Sequence, residues 1–559
     1  MSDARESRNF IEEIIDYDLE HGYQKDDLRF RFPPEPNGYL HIGHASSICL
    51  NFGLGEQFKA PVNLRFDDTN PAKEEQRFVD AIKRDVQWLG FEYAEERYAS
   101  DYFDELYEWA VQLIKEGKAY VDSQSSEAMR EQKGTPTEPG TDSPYRDRSV
   151  EENLQLFTEM KDGKHEEGTH VLRAKINMAS DNMLMRDPVI YRILHKNHHR
   201  TGDTWKIYPM YDWTHGQSDY LEQVSHSFCT LEFLPHRELY DWFLDQVVDE
   251  KKLRPKQREF ARRNISHTIT SKRKLAQLVE GGYVTGWDDP RMTTISGMRR
   301  RGYTPQSIRN FADSVGIAKR DNLVDMNHLE FNVRDHLNQV ANRVMCVLDP
   351  IELILENYPE DKTEWLTAEN NQGDDSAGER KVPLSRKLLI ERDDFKEEAN
   401  RKYFRLTIGK EVRLKNGYII KGERCEKDAD GNVTRVYASY DPDSRSGSGT
   451  EASMRKVKGT IHWVSAEHAV PVTVRLYDRL FSVPAPDADK DVDFLEHVNP
   501  NSLTEITAYG EPSLMELPVG MTVQFQRLGY FCVDRDSTED HKVFNRTVTL
   551  RDTWAKLEA

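Results

Sequence analysis

Leu28 to Phe32 reads LRFRF, apolar and basic positions in turn, which predicts a strand, and Pro33 to Gly38 (PPEPNG) breaks it into a turn. Apolar residues at Ile42, Ile48, Leu50, Phe52 and Leu54, with small Gly43, Ala45, Ser46 and Ser47 near the start, predict a helix directly after that turn. VNLRF (Val62 to Phe66) predicts a second strand, closed by DDTNP, and Ala72 to Leu89, charged along one side, predicts a second helix. Strand, helix, strand, helix is the pattern of a parallel sheet with crossovers.

From about Asp101 the pattern changes to helices around a polar loop, GTPTEPGTDSP (Gly134 to Pro144), followed by strand-like HVLRAKI. WKIYPMYDW (Trp205 to Trp213) reads as a return to the parallel sheet, so residues 101–210 are expected to be an insertion between two halves, 1–100 and 211–260, of one nucleotide-binding fold. Residues 256–337 read as mostly helical, and a connector over 261–340 is expected. Residues 341–559 hold short β-rich runs such as EVRLKNGYIIKGERC, VTRVYASY and VTVRLYDRLFSV, divided by turn residues and by polar loops at 370–380 and 441–453. Strands at that spacing predict small antiparallel barrels.

Composition narrows the class. With 559 residues, 37% hydrophobic and 31% charged, the chain is too apolar for disorder and too polar for a membrane protein. It has no apolar run near the roughly 20 residues of a spanning helix, and MSDARESRNF lacks the features of a secretory signal, so a cytoplasmic location is expected. The five cysteines are widely spaced, with no Cys-x-x-Cys pair, and are expected to be buried thiols; no metal site is predicted. A formal charge of -20 opposes indiscriminate nucleic-acid binding, so an RNA partner must meet local basic patches.

The chemistry concentrates at His41-Ile42-Gly43-His44. Imidazoles three positions apart share one side of a helix, a spacing compatible with a metal pair or with two ordinary polar residues. The preceding turn favours a third reading: a helix start offers amides and a positive dipole to phosphate, with imidazoles able to donate as charge builds up. Thr270-Ser271-Lys272-Arg273-Lys274 is, alone, a solvated charge run, but a lysine from a second loop could neutralise a departing pyrophosphate. Asp67 follows a core strand, where it could cap the DDTNP turn or hold an ammonium group. Taken alone, Tyr211 reads as a half-buried core aromatic and His215 as a structural histidine.

The tetrad and the lysine loop together resemble the two signatures of the class I aminoacyl-tRNA synthetases. PPEPNGYLHIGHA, LRFDDTNP, SPYRDRSVEENL, YPMYDWTHGQSD, GWDDPRMTTISGMRRRGY and VFNRTVTLRDTWAK, in that order, are similar to the glutaminyl-tRNA synthetase family from about Asn9 onward. The resemblance implies a multidomain α/β plus β chain: a Rossmann-type catalytic core with an inserted acceptor-binding domain, a helical connector and two C-terminal anticodon-binding barrels. It implies ATP contacts from Glu35, Pro36, Asn37, His41, Ile42, Gly43, His44, Ala45, Ser46, Ser47, Thr230, Arg262 and Arg263, with Thr270, Ser271 and Lys272 closing over the phosphates. His41, His44 and Lys272 would be catalytic, and magnesium would enter with ATP.

Asp67 and Tyr211, with Arg31, His215, Gln257 and Cys229, would hold L-glutamine. Cys229 stands where glutamate-specific relatives commonly carry an arginine, so no positive charge favours a carboxylate there. Arg343, Lys402, Arg405, Arg413, Lys415 and Gln524 fall at positions resembling the family's anticodon contacts, and Arg299 to Arg301 lie in a region assigned to the inner side of the tRNA. The implied partner is glutamine tRNA, with neither membrane nor DNA, and a monomer is expected. Departures occur at Thr270, in place of a methionine, at Pro136, in place of a wedging leucine, at Pro235 and His236, and at Lys402 and Phe404. Two rivals remain: a glutamyl-tRNA synthetase of the same subclass, and a non-catalytic tRNA-binding paralogue, which would not need His41, His44, Ser271 and Lys272.

Overall fold

A computed structural model of the chain describes residues 8–249 and 251–551, so the end of VFNRTVTLRDTWAK, residues 552–556, lies outside them. Two compact units divide the chain: Met1–Asn264 with Ala312–Leu323, and Ile265–Phe311 with Val324–Ala559.

In the first unit, α1 (Phe10–Glu20) starts on Asn9, whose side chain accepts from the Ile11 and Glu12 amides while the Glu12 carboxylate accepts from the Asn9 amide at 3.1 Å. Strands β1 (Phe30–Phe32), β2 (Val62–Phe66) and β3 (Glu96–Tyr98) then form a parallel sheet in that order, with α2 (Ile42–Phe58) and α3 (Gln76–Trp88) as crossovers. β1 and β2 are buried throughout. Their arginines point inward: Arg31 and Arg65 reach the Asp219 carboxylate at 3.0 and 2.6 Å. Helix α3 starts later than Ala72 because residues 70–75 are held in a turn, the Glu74 carboxylate accepting from the Asn70 amide at 2.7 Å and Pro36 O accepting from the Glu75 amide at 3.1 Å.

Next come α4 (Phe103–Lys115), β4 (Ala119–Asp122), α5 (Ser126–Gln132), α6 (Val150–Lys161), β5 (Val171–Ala174), β6 (Val189–Ile193) and β7 (Ile207–Pro209). The four strands make an antiparallel sheet in chain order over a core containing Phe103, Phe157, Tyr191, Trp205 and Trp213. The parallel pattern therefore does not return at Trp205: β7 closes the antiparallel sheet, because its partner is β6. It returns after α7 (Tyr211–Leu221), where β8 (His226–Thr230) pairs in parallel with β9 (Lys256–Phe260) around α8 (Arg237–Val247). The Ser225 amide donates to Arg29 O at 2.9 Å, which sets β8 beside β1.

The expected helical stretch from 256 thus begins with strands, β9 and β10 (Arg263–Ile265), before α9 (Lys272–Glu280), α10 (Ile295–Arg301), α11 (Pro305–Val315), β11 (Asn322–Val324) and α12 (Met326–Val340). The segment Ala312–Leu323 rejoins the first unit, where Ala318 O accepts from the Ala261 amide at 2.9 Å and the Asp321 carboxylate from the Arg262 amide at 2.8 Å. Within the second unit Gly302 ends α10 at φ +98°, and a Cβ there would come 2.5 Å from Cys532 Cβ.

The rest is β. Strands β12 (Arg343–Val344) and β13 (Cys346–Val347) precede β14 (Pro350–Leu355), β15 (Glu364–Glu369), β16 (Glu379–Leu384), β17 (Lys387–Glu391), β18 (Glu411–Leu414), β19 (Ile419–Lys427), β20 (Val433–Tyr440), β21 (Thr460–Ile461) and β22 (Val464–Ser465). Then follow β23 (Val470–Tyr477), β24 (Leu503–Gly510), β25 (Thr522–Phe525), β26 (Gly529–Val533) and β27 (Val543–Thr549). One sheet runs β21-β18-β19-β20-β14-β17-β22, the other β12-β25-β26-β27-β23-β24-β13. In each, the two edge strands are halves of one broken strand: only Met345 separates β12 from β13, and only His462 and Trp463 separate β21 from β22. Each sheet therefore curls into a barrel-like form that meets itself at a kink, which removes the open edge. They are mixed rather than purely antiparallel, since β14–β20, β18–β21, β23–β27 and β12–β25 pair in parallel. Separate apolar cores fill them, one around Trp463, Leu353 and Ile420, the other around Phe525, Phe531 and Phe544.

All five cysteines are free thiols; Cys229 and Cys425 are only partly buried, unlike Cys49, Cys346 and Cys532. Among the described residues no helix is long and apolar enough to cross a membrane.

Candidate active site and nucleic-acid interface

The PPEPNG turn delivers the chain from β1 to the start of α2, where His41 is the N-cap. Its Nδ1 accepts from the Gly43 amide at 3.1 Å, and the His44 Nδ1 accepts from the His41 amide at 3.1 Å. The two rings lie 3.9 Å apart. A neutral imidazole that accepts at Nδ1 carries its proton on Nε2, so the helix start fixes both tautomers with Nε2–H as the donor. Gly43 is the condition for this arrangement: a Cβ there would meet His41 Cε1 at 2.9 Å. The glycine makes room for an imidazole over the first helical turn, a reason the sequence alone does not give.

Around this turn the structure collects several of the expected nucleotide contacts. Ile42 and Ala45 are buried in α2, Ser47 O accepts from Asn51, and Ser46 Oγ accepts from Arg263 Nη1 at 3.4 Å, bringing β10 to the helix. Arg263 also donates to Gly316 O on the returning segment. The Glu35 carboxylate accepts from Asn37, and Pro36 anchors the Glu75 amide. Thr230, at the end of β8, donates to Glu232 at 2.8 Å.

Asp67 sits where β2 ends, its amide bound to Pro34 O at 3.0 Å and its carboxylate accepting from Thr69 Oγ1 at 3.1 Å. Burial and the neighbouring Glu35 push the Asp67 carboxyl up to about 7, and burial pushes Glu74 up to about 9. A buried carboxyl raised in this way favours a cationic ligand, whose charge restores the ionised form.

Tyr211 opens α7, and its ring stacks on His215 at 4.9 Å and lies near Phe233. His215 is buried, and burial, partly opposed by Asp219, pushes it down to about 3. Arg31 Nη2 lies 3.3 Å from His215 Nε2 and can only donate, so Nε2 accepts and the ring is neutral. Arg31 itself is fully enclosed: Asp219, Phe228 O, Ser227 and His215 surround its guanidinium. Burial opposes the charge on Asp219, but Arg31 and Arg65 outweigh it and hold the carboxyl far below its ordinary range. Burial raises the Tyr211 hydroxyl well above its ordinary value and the Cys229 thiol to about 12, so both are neutral. Gln257, opposite Ser227 on β9, donates to Phe233 O at 3.0 Å and to Glu259 at 2.9 Å.

In the second unit, Ser271 occupies the position just before α9 and Lys272 is the first residue of that helix. The base of the loop is anchored by Ile269, Leu275 and Leu278 in a core with Phe481 and Phe494, so the apolar anchoring does not depend on Thr270. Lys274 pairs with Asp487 at 3.0 Å.

The six expected anticodon residues fall into three groups. Arg343 and Gln524 are register partners on β12 and β25, and Lys415 is close enough to Arg343 to feel its charge, burial and that repulsion lowering the Lys415 ammonium. Lys402 and Arg405 line an open cleft of about 470 Å³ with Tyr403, Phe404, His462 and Arg527. Arg413 stands apart, its guanidinium binding Ser444 O, Ser446 and Ser453 O, which fastens the 441–453 loop.

Most of the chain has a counterpart in known families. The model for the catalytic domain of tRNA synthetases class I (E and Q) matches residues 27–339, and models for the anti-codon binding domain of the same family match 341–441 and 460–534. The chain belongs to that family. It is 58% identical to the glutamine–tRNA ligase of Rhodopirellula baltica over 99% of this chain and 91% of the relative. It is 56% identical to the glutamine–tRNA ligase of Vibrio vulnificus, covering 100% and 99%, and 56% identical to that of Salmonella newport, covering 98% of each.

Several side chains at these sites gave no sequence signal. Asp219, on α7 eight residues beyond Tyr211, neutralises two arginines from β1 and β2. Arg527, at the β25–β26 turn, grips Asp394 at 2.6 and 2.7 Å, and Arg405 reaches the same carboxylate at 3.0 Å. Pro136 is exposed at the tip of a hairpin that buried Arg186 pins from beneath through Lys133 O, Thr135 O and Glu138 O. Pro235 O accepts from Asn182, and His236 contacts Asp212 at 2.6 Å.

Proposed function

We propose that this chain ligates L-glutamine to the 3′ end of glutamine tRNA, through a glutaminyl-adenylate, with release of AMP and pyrophosphate. The observation that carries the reading is the neutral wall formed by Tyr211, His215 and Cys229, with the nearby Arg31 cation neutralised by Asp219. A carboxylate placed there would meet no counter-charge, whereas an amide can use neutral donors and acceptors. Asp67 would take the substrate's α-ammonium. Whole-length similarity to glutamine–tRNA ligases supports the same reading.

The nucleotide is taken as magnesium-ATP, its phosphates over the start of α2. Glutamine's carboxylate attacks the α-phosphorus, and the His41 and His44 Nε2–H groups, with Lys272 brought over by its loop, stabilise charge on the phosphates. A ribose hydroxyl of the terminal adenosine then attacks the activated carbonyl and AMP leaves. The core halves over 1–100 and 211–260 are taken as one Rossmann-type fold, 101–210 as the acceptor-binding insertion and 261–340 as the connector carrying the lysine loop. The barrels over 341–559 would read the anticodon through Arg343, Gln524, Lys415, Lys402 and Arg405, with Arg413 supporting them. The enzyme is taken to act as a cytoplasmic monomer.

ATP-dependent transfer of labelled amino acid to total tRNA tests the reading: glutamine is charged and glutamate is not, and the reverse result overturns it. Lys272→Ala should lower tRNA-supported pyrophosphate exchange by a hundredfold or more, a loss of about 3 kcal/mol, with tRNA affinity little changed. Near-normal turnover would remove the lysine from the mechanism.

A further inference from the structure

The loop between β6 and β7 carries His198 and His199, which no step above uses. His198 is 3% exposed and held in a tight turn, with His198 and Gly202 exchanging backbone hydrogen bonds at 2.8 and 3.0 Å. Its Nδ1 accepts from the Arg200 and Thr201 amides, both at 3.2 Å, and its Nε2 lies 2.7 Å from Asp68 O. A carbonyl only accepts, so His198 is neutral with its proton on Nε2, in agreement with the downward shift that burial gives it. His199 Nε2 lies 3.0 Å from the Asp68 carboxylate, which also accepts from the Ser100 amide at 2.8 Å and the Ser100 hydroxyl at 2.7 Å.

Asp68, His198 and His199 come within the spacing of a metal site. The protonation pattern points elsewhere: a cation on His198 Nε2 would require the ring to lose that proton while Nδ1 still faces two amide donors. What the cluster does instead is fix a turn. His198 sets the peptide between Asp68 and Thr69, Arg192 Nη2 holds Thr69 O at 3.3 Å, and the Thr69 hydroxyl donates to the Asp67 carboxylate.

We propose that His198 is a positioning residue for the amino-acid substrate, acting through the Asp68–Thr69 peptide and the Thr69 hydroxyl to aim the Asp67 carboxylate. The inference rests on the assignment of Asp67 to the α-ammonium in the proposed function. Misdirecting a binding group by a fraction of an ångström weakens its ligand with little effect on groups elsewhere in the site. His198→Ala in the full-length enzyme should therefore raise KM for glutamine on the order of tenfold, with KM for ATP and tRNA and with kcat changed far less. His198→Gln, whose amide can donate from the position of Nε2, should restore most of the affinity.

Should His198→Ala fail to fold, Thr69→Val cuts the last link alone and should raise the same KM. Where both variants fold, the double variant should be no worse than the poorer single one, because both remove one pathway. Additive losses, parallel rises in all three KM values, or an unchanged KM for glutamine in Thr69→Val each overturn the proposal. Glutamine charging by the unaltered enzyme is measured first, so failure of the underlying function appears there and failure of this inference only in the variants.

Discussion

Asp67 is a carboxyl with a buried address and acidic neighbours, and its protonation should govern substrate binding. Its folded-state value of about 7 lies above its ordinary 3.8, so between those limits the folded chain keeps a proton that the unfolded chain has lost. Folding stability from this group is thus present at low pH and falls as pH rises toward 7. Binding an ammonium requires the ionised form, so KM for glutamine should rise about tenfold for each pH unit below 7. Asp67→Asn should raise KM at every pH, flatten that slope, and increase the melting temperature at pH 8 more than at pH 5. A wild-type KM that does not vary between pH 5.5 and 7.5 would contradict the assignment. The same residue marks what the sequence could tell. The motifs draw attention to Asp67 and Tyr211, whereas nothing in them marks Asp219, whose ion pairs depend on arginines 188 and 154 positions away.

Elements were legible in proportion to how local their cause is. VNLRF and VTRVYASY carry their strand pattern within themselves and are strands over Val62–Phe66 and Val433–Tyr440. KQREF reads as polar and helical, yet it is a strand because β8 lies beside it, and β7 is antiparallel because β6 precedes it in space. The barrels show the same limit: a β-rich text announces strands, but the closure through two broken strands is a property of pairing partners. Trp463, fully buried in one of those breaks, donates Nε1–H to Lys415 O at 2.9 Å. Trp463→Phe keeps most of the core volume and removes that bond, so stability should fall by about 1 kcal/mol. KM for tRNA should rise with KM for glutamine unchanged, measured by denaturant unfolding and by charging kinetics. Equal KM for tRNA would separate Lys415 from anticodon recognition.

Over the whole chain the formal charge is -20, so the proposed recognition of a polyanion has to rest on the local placement of groups such as Lys402 and Arg405 rather than on net charge. The two compact units are interleaved in sequence: Ala312–Leu323 leaves the second and completes the first. Asp321→Ala removes the acceptor that holds the Arg262 amide, and should raise KM for ATP about threefold to tenfold while leaving KM for tRNA near its original value. An unchanged KM for ATP would show that Arg262 keeps its place without that support. The interleaving also orders the birth of the molecule on the ribosome. Since Arg262 and Arg263 are braced by residues 316 to 321, the pocket proposed for ATP would stay unfinished until translation has passed through the lysine loop, so a nascent chain would not hold ATP before it carries Lys272.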